Sequence, residues 1–225
     1  MSLLTQAVLN NADWCSLICE LHDAKGTIKQ DIWFTQAQVP AFYPNLITLN
    51  PQVETEVVRK LIPDHGAFAI KDSFNTLDLQ NLGFTKLFEA QWLTAPASTN
   101  AQLSATVVTT EAMLRAWHEA WNSAHMEMFS PALLKRSDVA FLAYLEEGRI
   151  TAGAILNKSR GVVGISNVFS KSSVNEKFWH ALLSSAAHLF PGHPLVGYET
   201  GKELRTATRV GFSALGALSV WARKI

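Results

Sequence analysis

Two short stretches of this 225-residue chain combine residue types that do chemistry. The first is Tyr198-Glu199, which ends the strand-like run that begins at Pro194. Ligands commonly lodge where a sheet splays at its strand ends, and there a carboxylate takes up a proton while a phenol gives one. Each residue also has a plainer role: Glu199 complementing the start of the helix that follows, and Tyr198 filling core. The second stretch is Ser170-Lys-Ser-Ser173, just ahead of another helix. The Ser172 and Ser173 hydroxyls, the Lys171 cation and free backbone N–H groups form a cradle for a phosphate. The alternative is that Ser173 caps the helix and Lys171 is solvated. Glu176, in the first turn, repels an anion.

Other reactive types are poorly placed. His118 and His125 are seven apart, so a helix sets them on one face about 10 Å from each other, too far to share a metal. They read as residues of a polar helix face, and His180 and His188 fail the same test. Cys15 and Cys19 are the only cysteines. They are four apart on a helix face and read as a buried pair of reduced thiols, since a structural zinc needs four ligands. The sequence contains no HExxH, phosphate-loop, GxSxG or dinucleotide motif.

Composition narrows the classes. Hydrophobic residues are 48% and charged residues 17%, which fits a globular domain, and seven Trp with twelve Phe point to deep cores or apolar clefts. Lys plus Arg and Asp plus Glu are 19 each. A zero net charge leaves no footprint for nucleic acid or an anionic membrane. With no signal-peptide pattern and no apolar run long enough to span a bilayer, the expected compartment is the cytoplasm.

The elements that must position these residues are legible in the second part. Thr110 is set to N-cap a helix whose Leu114, Trp117, Trp121, Ala124 and Met128 form one apolar stripe. Strands 139–145, 150–156 and 162–169 follow, joined by turns at Glu146-Glu-Gly-Arg149 and Lys158-Ser-Arg-Gly161. They make an antiparallel meander. A helix over 175–189 carries the capping-box pair Ser173 and Glu176, and a strand over 194–198 comes next. Thr200 with Glu203 repeats the capping-box spacing and opens a last helix, which Gly211 closes before one or two final strands. In the first part the pattern predicts a helix over 11–22, β-structure over 27–49 and a short helix over 53–61. A strand over 66–70, a helix over 74–82 and a strand over 84–93 complete it. The polar stretch 94–104 reads as a linker.

The two parts echo one another. Gly83-Phe84, Leu87 and Trp92 parallel Gly211-Phe212, Leu215 and Trp221, and each part opens with a Trp-bearing helix. This points to a shorter, degenerate copy over 1–95, a linker or crossing segment over 96–108, and a fuller domain over 109–225. The plain alternative is that helix–Gly–Phe–strand is a common turn.

This element order and its closing Gly-Phe resemble the GNAT superfamily of acyl-CoA N-acyltransferases. In that family a meander leads to a strand and then to a helix whose N-terminus holds the coenzyme A pyrophosphate. A further strand follows, then a helix that ends in Gly-Phe. Residues 140–169, 175–189, 195–198 and Val210-Gly-Phe212 fall in that order, and the resemblance covers 109–225, more weakly 10–95. It implies an α/β fold with a mixed sheet, as a tandem of two related halves.

For function, the resemblance implies an N-acetyltransferase that moves an acetyl group from acetyl-CoA to a primary amine of a small molecule or peptide, without a metal. Backbone groups of Asn167, Val168 and Phe169 would meet the pantetheine arm, and Lys171, Ser172 and Ser173 the phosphates. Glu199 would be the base, acting through water, and Tyr198 the proton donor. The chain departs from the family in two places. Lys177 and Trp179 stand where the pyrophosphate loop has glycines, and 202–209 lacks the family's acid Tyr. The alternative is a non-catalytic binding or regulatory protein that has lost coenzyme A, and a homodimer is left open.

Overall fold

The computed structural model describes residues 1–96, 105–171 and 176–223. The linker expected over 96–108, the cap at Ser173 and the cradle residue Ser172 therefore lie wholly or largely outside the described residues. The chain forms two compact units, Met1–Trp92 with Leu215–Ile225, and Leu93–Ala214.

The first unit opens with α1 (Leu3–Leu21), capped by the Ser2 hydroxyl, which accepts the Thr5 N–H at 3.2 Å. It begins earlier than the sequence suggested, because the cap and the buried Ala7 and Val8 extend the stripe of Trp14, Cys15 and Ile18 by two turns. Both cysteines are free and buried. Burial pushes the Cys15 thiol up, and burial with the Cys15 neighbour takes Cys19 to about 12, so both are inert thiols. Strands β1 (Thr27–Lys29), β2 (Ile32–Phe34) and β3 (Leu46–Thr48) form an antiparallel meander. After α2 (Thr55–Arg59), β4 (Phe68–Asp72) returns parallel to β3.

The helix expected over 74–82 does not form; a single 3-10 turn at Gln80–Leu82 stands in its place. The cause is Asp72, fully buried at the end of β4. Its carboxylate accepts the N–H groups of Phe74 at 3.2 Å and Leu77 at 2.8 Å and the Thr48 hydroxyl at 3.4 Å. Of the two amides, that of Leu77 is the one a helix beginning at Phe74 would have used for its first internal bond. Gly83 then turns the chain at φ 78° into the long strand β5 (Thr85–Ala95). The last strand of the chain, β11 (Ser213–Arg223), pairs antiparallel with β4, Trp221 opposite Ile70. The unit's core gathers Ile32, Leu46, Val58, Ile70, Leu79, Phe84 and Trp221.

The second unit holds β6 (Thr106–Val107) and α3 (Glu111–Asn122), N-capped by Thr110 as expected. The meander β7 (Val139–Glu146), β8 (Arg149–Ser159) and β9 (Val162–Ser170) follows. Its turns place Glu147-Gly148 and Arg160-Gly161 at positive φ, the geometry of two-residue hairpins. Then come α4 (Glu176–Leu189), β10 (Leu195–Glu199) parallel to β9, and α5 (Gly201–Arg209). Thr200 is the N-cap of α5, but its hydroxyl makes no capping bond. Gly211, at φ 102°, closes α5. Its N–H donates to the Thr208 carbonyl at 3.2 Å and that of Phe212 to Ala207 at 3.1 Å, a Schellman pattern. Leu142, Leu156, Val163, Leu182, Leu195 and Ala207 form the core under α4 and α5.

Each unit thus runs from a three-stranded meander through a helix to a strand parallel to the meander's last strand. A helical turn then ends in a positive-φ glycine and a buried phenylalanine. The closing bonds repeat: the Gly83 and Phe84 amides donate to Gln80 and Leu79, at the same offsets as Gly211 and Phe212. Among the described residues no helix is long and apolar enough to cross a membrane.

Candidate active site

The site lies where β9 and β10 part. Their paired register consists of Val163 with Leu195 and Gly164 with Val196. Gly197 still lies against β9: a Cβ there would stand 3.3 Å from the Ile165 carbonyl oxygen. A glycine inside a strand is a sequence signal of close backbone approach. On the other edge of β9, Gly153 faces Phe169 but Ile155 faces Ser166, so β9 carries an extra residue. Asn167 sits in this bulge at φ 50°. Bulges interrupt pairing and re-aim the chain beside functional sites.

Beyond the parting is a narrow cleft with about 10 Å³ of free space, lined by Leu93, Ile165, Trp179, Gly197, Tyr198, Glu199 and Phe212. Tyr198 and Glu199 therefore share one cleft. Glu199 is half-buried; burial first, and the charge of Glu203 second, push its carboxyl up to about 7. A carboxyl poised near neutrality takes and returns a proton readily. The last residue of the corresponding strand in the first unit, Asp72, has its oxygens filled by two amides and a hydroxyl and serves the backbone.

The remaining expected residues divide. Asn167 and Val168 are half-buried at the bulge. Phe169 turns its ring into the core, edge-on to Trp117 at 5.1 Å, and offers only backbone. Lys171 is exposed, and its N–H already donates to the Thr151 carbonyl at 2.8 Å, so that amide is not free for a phosphate. Ser172 and Ser173 lie outside the described residues. Glu176 is exposed and pairs with Arg209 at 3.4 Å. Trp179 is 2% exposed, packed edge-on against Phe212 at 5.2 Å, and forms part of the cleft wall.

What this end of the sheet offers a ligand is the parted strands and the bulge; the indole N–H of Trp179, which lacks a partner among the described residues, is buried. The free space in the cleft is room for about one water, far below the usual 300–1,000 Å³ of a small-molecule pocket. Among the described residues no group of three His, Cys, Asp or Glu side chains gathers as a metal site.

His118 corrects an expectation. It is 3% exposed rather than on a polar face, because α3 buries Leu114, Trp117 and His118 together. Its Nε2 accepts the Phe129 N–H at 3.1 Å, and burial holds its pKa below the usual 6.5. Ala124, placed in the same stripe, is exposed, since α3 ends at Asn122. The unfolded chain binds a proton to His118 more readily than the folded one, so this contribution to stability is present above pH 6.5 and is lost as pH falls through the folded pKa. Thermal melts from pH 7.5 to 5 should show a shallower fall for His118→Gln, which accepts the same N–H without titrating. An equal fall in both proteins would remove His118 as the cause.

No protein-family model matches the sequence, and no curated protein matches it. Solved structures do match. A GCN5-related N-acetyltransferase from Kribbella flavida is 12% identical with a TM-score of 0.68, over 99% of this chain and 96% of its own. A conserved protein of unknown function from Staphylococcus epidermidis is 10% identical at 0.63, over 88% and 92%. A GNAT-family acetyltransferase structure from Novosphingobium aromaticivorans is 14% identical at 0.58, over 94% and 96%. At these identities the likeness speaks to architecture: the chain has the mixed-sheet α/β fold of the GNAT acyl-CoA N-acyltransferases.

Proposed function

We propose that this protein is an N-acyltransferase that moves an acetyl group from acetyl-CoA to a primary amine of a small molecule or peptide. The observation that carries this reading is Glu199, a carboxyl tuned to about 7 within the cleft where β9 and β10 part. An amine is protonated at neutral pH and cannot attack until it loses a proton. Glu199 takes that proton through water. The amine nitrogen then bonds to the thioester carbonyl carbon, the carbon–sulfur bond breaks, the departing thiolate takes the Tyr198 proton, and the second proton lost by the nitrogen restores Tyr198. The products are an amide and free coenzyme A. Backbone groups of Asn167 to Phe169 bind the pantetheine arm, and Lys171 with Ser172 and Ser173 meets the phosphates.

A second reading, a non-catalytic protein on the same fold, is favoured by Trp179 in the cleft and by the spent amide of Lys171. The repeated element order and the matching Gly-Phe closures support the further proposal that residues 1–95 descend from a degenerate copy of the domain. The two free thiols support a cytoplasmic, reducing location.

A thermal-shift titration with acetyl-CoA separates the readings. A ligand specific for the folded protein stabilises it by about 2.7 kcal/mol at 100 times its Kd. A concentration-dependent rise in Tm, reduced by Lys171→Ala, is the expected result. No shift at millimolar acetyl-CoA would retire the enzyme.

A further inference from the structure

A roomier cavity opens in the Leu93–Ala214 unit, between α3 and the segment that follows it. It holds about 540 Å³ of free space, within the range of roughly 300–1,000 Å³ usual for small-molecule sites. None of its lining residues lines the Glu199 cleft. α3 packs on β8 and β9, and the 3-10 turn Pro131–Lys135 packs on β7, so the elements that form the cavity sit on the meander. Its walls are held from within. Thr110 caps α3 by accepting the Met113 N–H at 3.2 Å, and Ser130 caps the turn by accepting the Ala132 N–H at 3.3 Å. Between them the Nε2 of the buried His118 accepts the Phe129 N–H at 3.1 Å, and the two rings stack with centroids 5.5 Å apart. The cavity is therefore formed before a ligand arrives, which lowers the ordering cost of binding.

Its lining is of two kinds. Leu114 and Phe129 are buried and Met126 is half-buried, and together they supply an apolar surface. Glu111, Arg115 and Glu127 are exposed and line the same space. Glu111 and Arg115 stand four apart on α3, a spacing that favours an ion pair. Neither they nor Glu127 pairs with another described residue. Two carboxylates, one guanidinium and an apolar surface complement a molecule with two cationic groups, one anionic group and an aliphatic stem. We propose that this cavity binds a basic α-amino acid. The carboxylate lies on Arg115, the two ammonium groups on Glu111 and Glu127, and the methylene chain along Leu114, Met126 and Phe129. A guanidinium matches a carboxylate bidentately, which makes Arg115 the selective contact for that end of the ligand. The proposal stands on the cavity alone and does not need the acyltransferase reading.

The probe is L-lysine, titrated by calorimetry beside norleucine, which lacks the side-chain ammonium, and 1,5-diaminopentane, which lacks the carboxylate. Wild type should bind lysine at least about fivefold more tightly than either, the scale of one partly exposed charged contact. Arg115→Gln should abolish the preference over 1,5-diaminopentane, and the double variant Glu111→Gln, Glu127→Gln the preference over norleucine. All three side chains are exposed, so the Tm of the free protein should change little. Lysine that fails to bind at millimolar concentration, binds no better than norleucine, or keeps its affinity in Arg115→Gln overturns the proposal. A second readout locates the ligand. In protein labelled with 13C-methyl methionine, the Met126 signal, identified by its loss in Met126→Leu, should shift when lysine is added. A signal that stays in place overturns the proposal as well.

Discussion

Glu199→Gln is expected to lower kcat by about 10²- to 10⁴-fold, the usual contribution of a positioned acid–base group, while acetyl-CoA binds as before. Gln keeps the size and polarity of the side chain and loses only its proton affinity. In wild type the base must be ionised, so kcat/KM should rise with pH through about 7 and level off above it. That limb should vanish in Glu199→Gln. Glu203→Gln should move it to lower pH, because Glu203 is the second cause of the raised pKa. Stability runs the other way. The folded pKa lies above the unfolded value of 4.5, so the contribution is fully present below 4.5 and is lost as pH rises through about 7. Glu199→Gln should remove that loss and melt higher than wild type at pH 8. Wild-type turnover in Glu199→Gln would take this residue out of the mechanism.

Trp117→Ala should cost about 3–5 kcal/mol of stability, the range for emptying a large aromatic site in a core. Trp117 is 0% exposed and central to an aromatic cluster. It stacks on Trp121 at 6.0 Å and meets Phe129, Phe141 and Phe169 edge-on at 5.8, 5.3 and 5.1 Å. Its indole also donates to the Leu142 carbonyl at 2.9 Å. The residues around it do not readily collapse inward, because most are rings already in mutual contact. Gly153 shows how tight the packing is: a Cβ there would stand 2.5–2.7 Å from Phe169, Leu142 and Trp117. Urea unfolding measures the effect, and a loss under about 1 kcal/mol would contradict it. Because Phe169 follows directly on the bulge, Trp117→Ala should also weaken acetyl-CoA binding, whereas Trp117→Phe should keep most of both properties.

Local signals carried much of the second unit. The hairpin turns were legible because Glu147-Gly148 and Arg160-Gly161 adopt backbone angles that few residue pairs accept. The α3 cap and the Gly211 stop were legible because capping is chemistry between residues a few positions apart. The strand end with Tyr198 and Glu199 was readable as a place, and its neighbours were not.

What the sequence could not decide was set by residues distant along the chain. The apolar spacing over 74–82 favours a helix, but the buried Asp72 carboxylate takes the Leu77 amide, the first that such a helix would bond internally. The closing strand followed α5 in order, so the sequence grouped it with the second part, yet β11 pairs with β4, almost 150 residues earlier. His118 looked polar, but the packing of α3 buried it and gave it the Phe129 amide. The acidity of Glu199 is likewise tertiary, since burial and Glu203 raise it, and neither is visible in the residue type. The sequence alone determined the order of elements, because propensity and capping act locally. Strand partners, burial and proton affinity waited on the fold, because each depends on what the finished chain brings alongside.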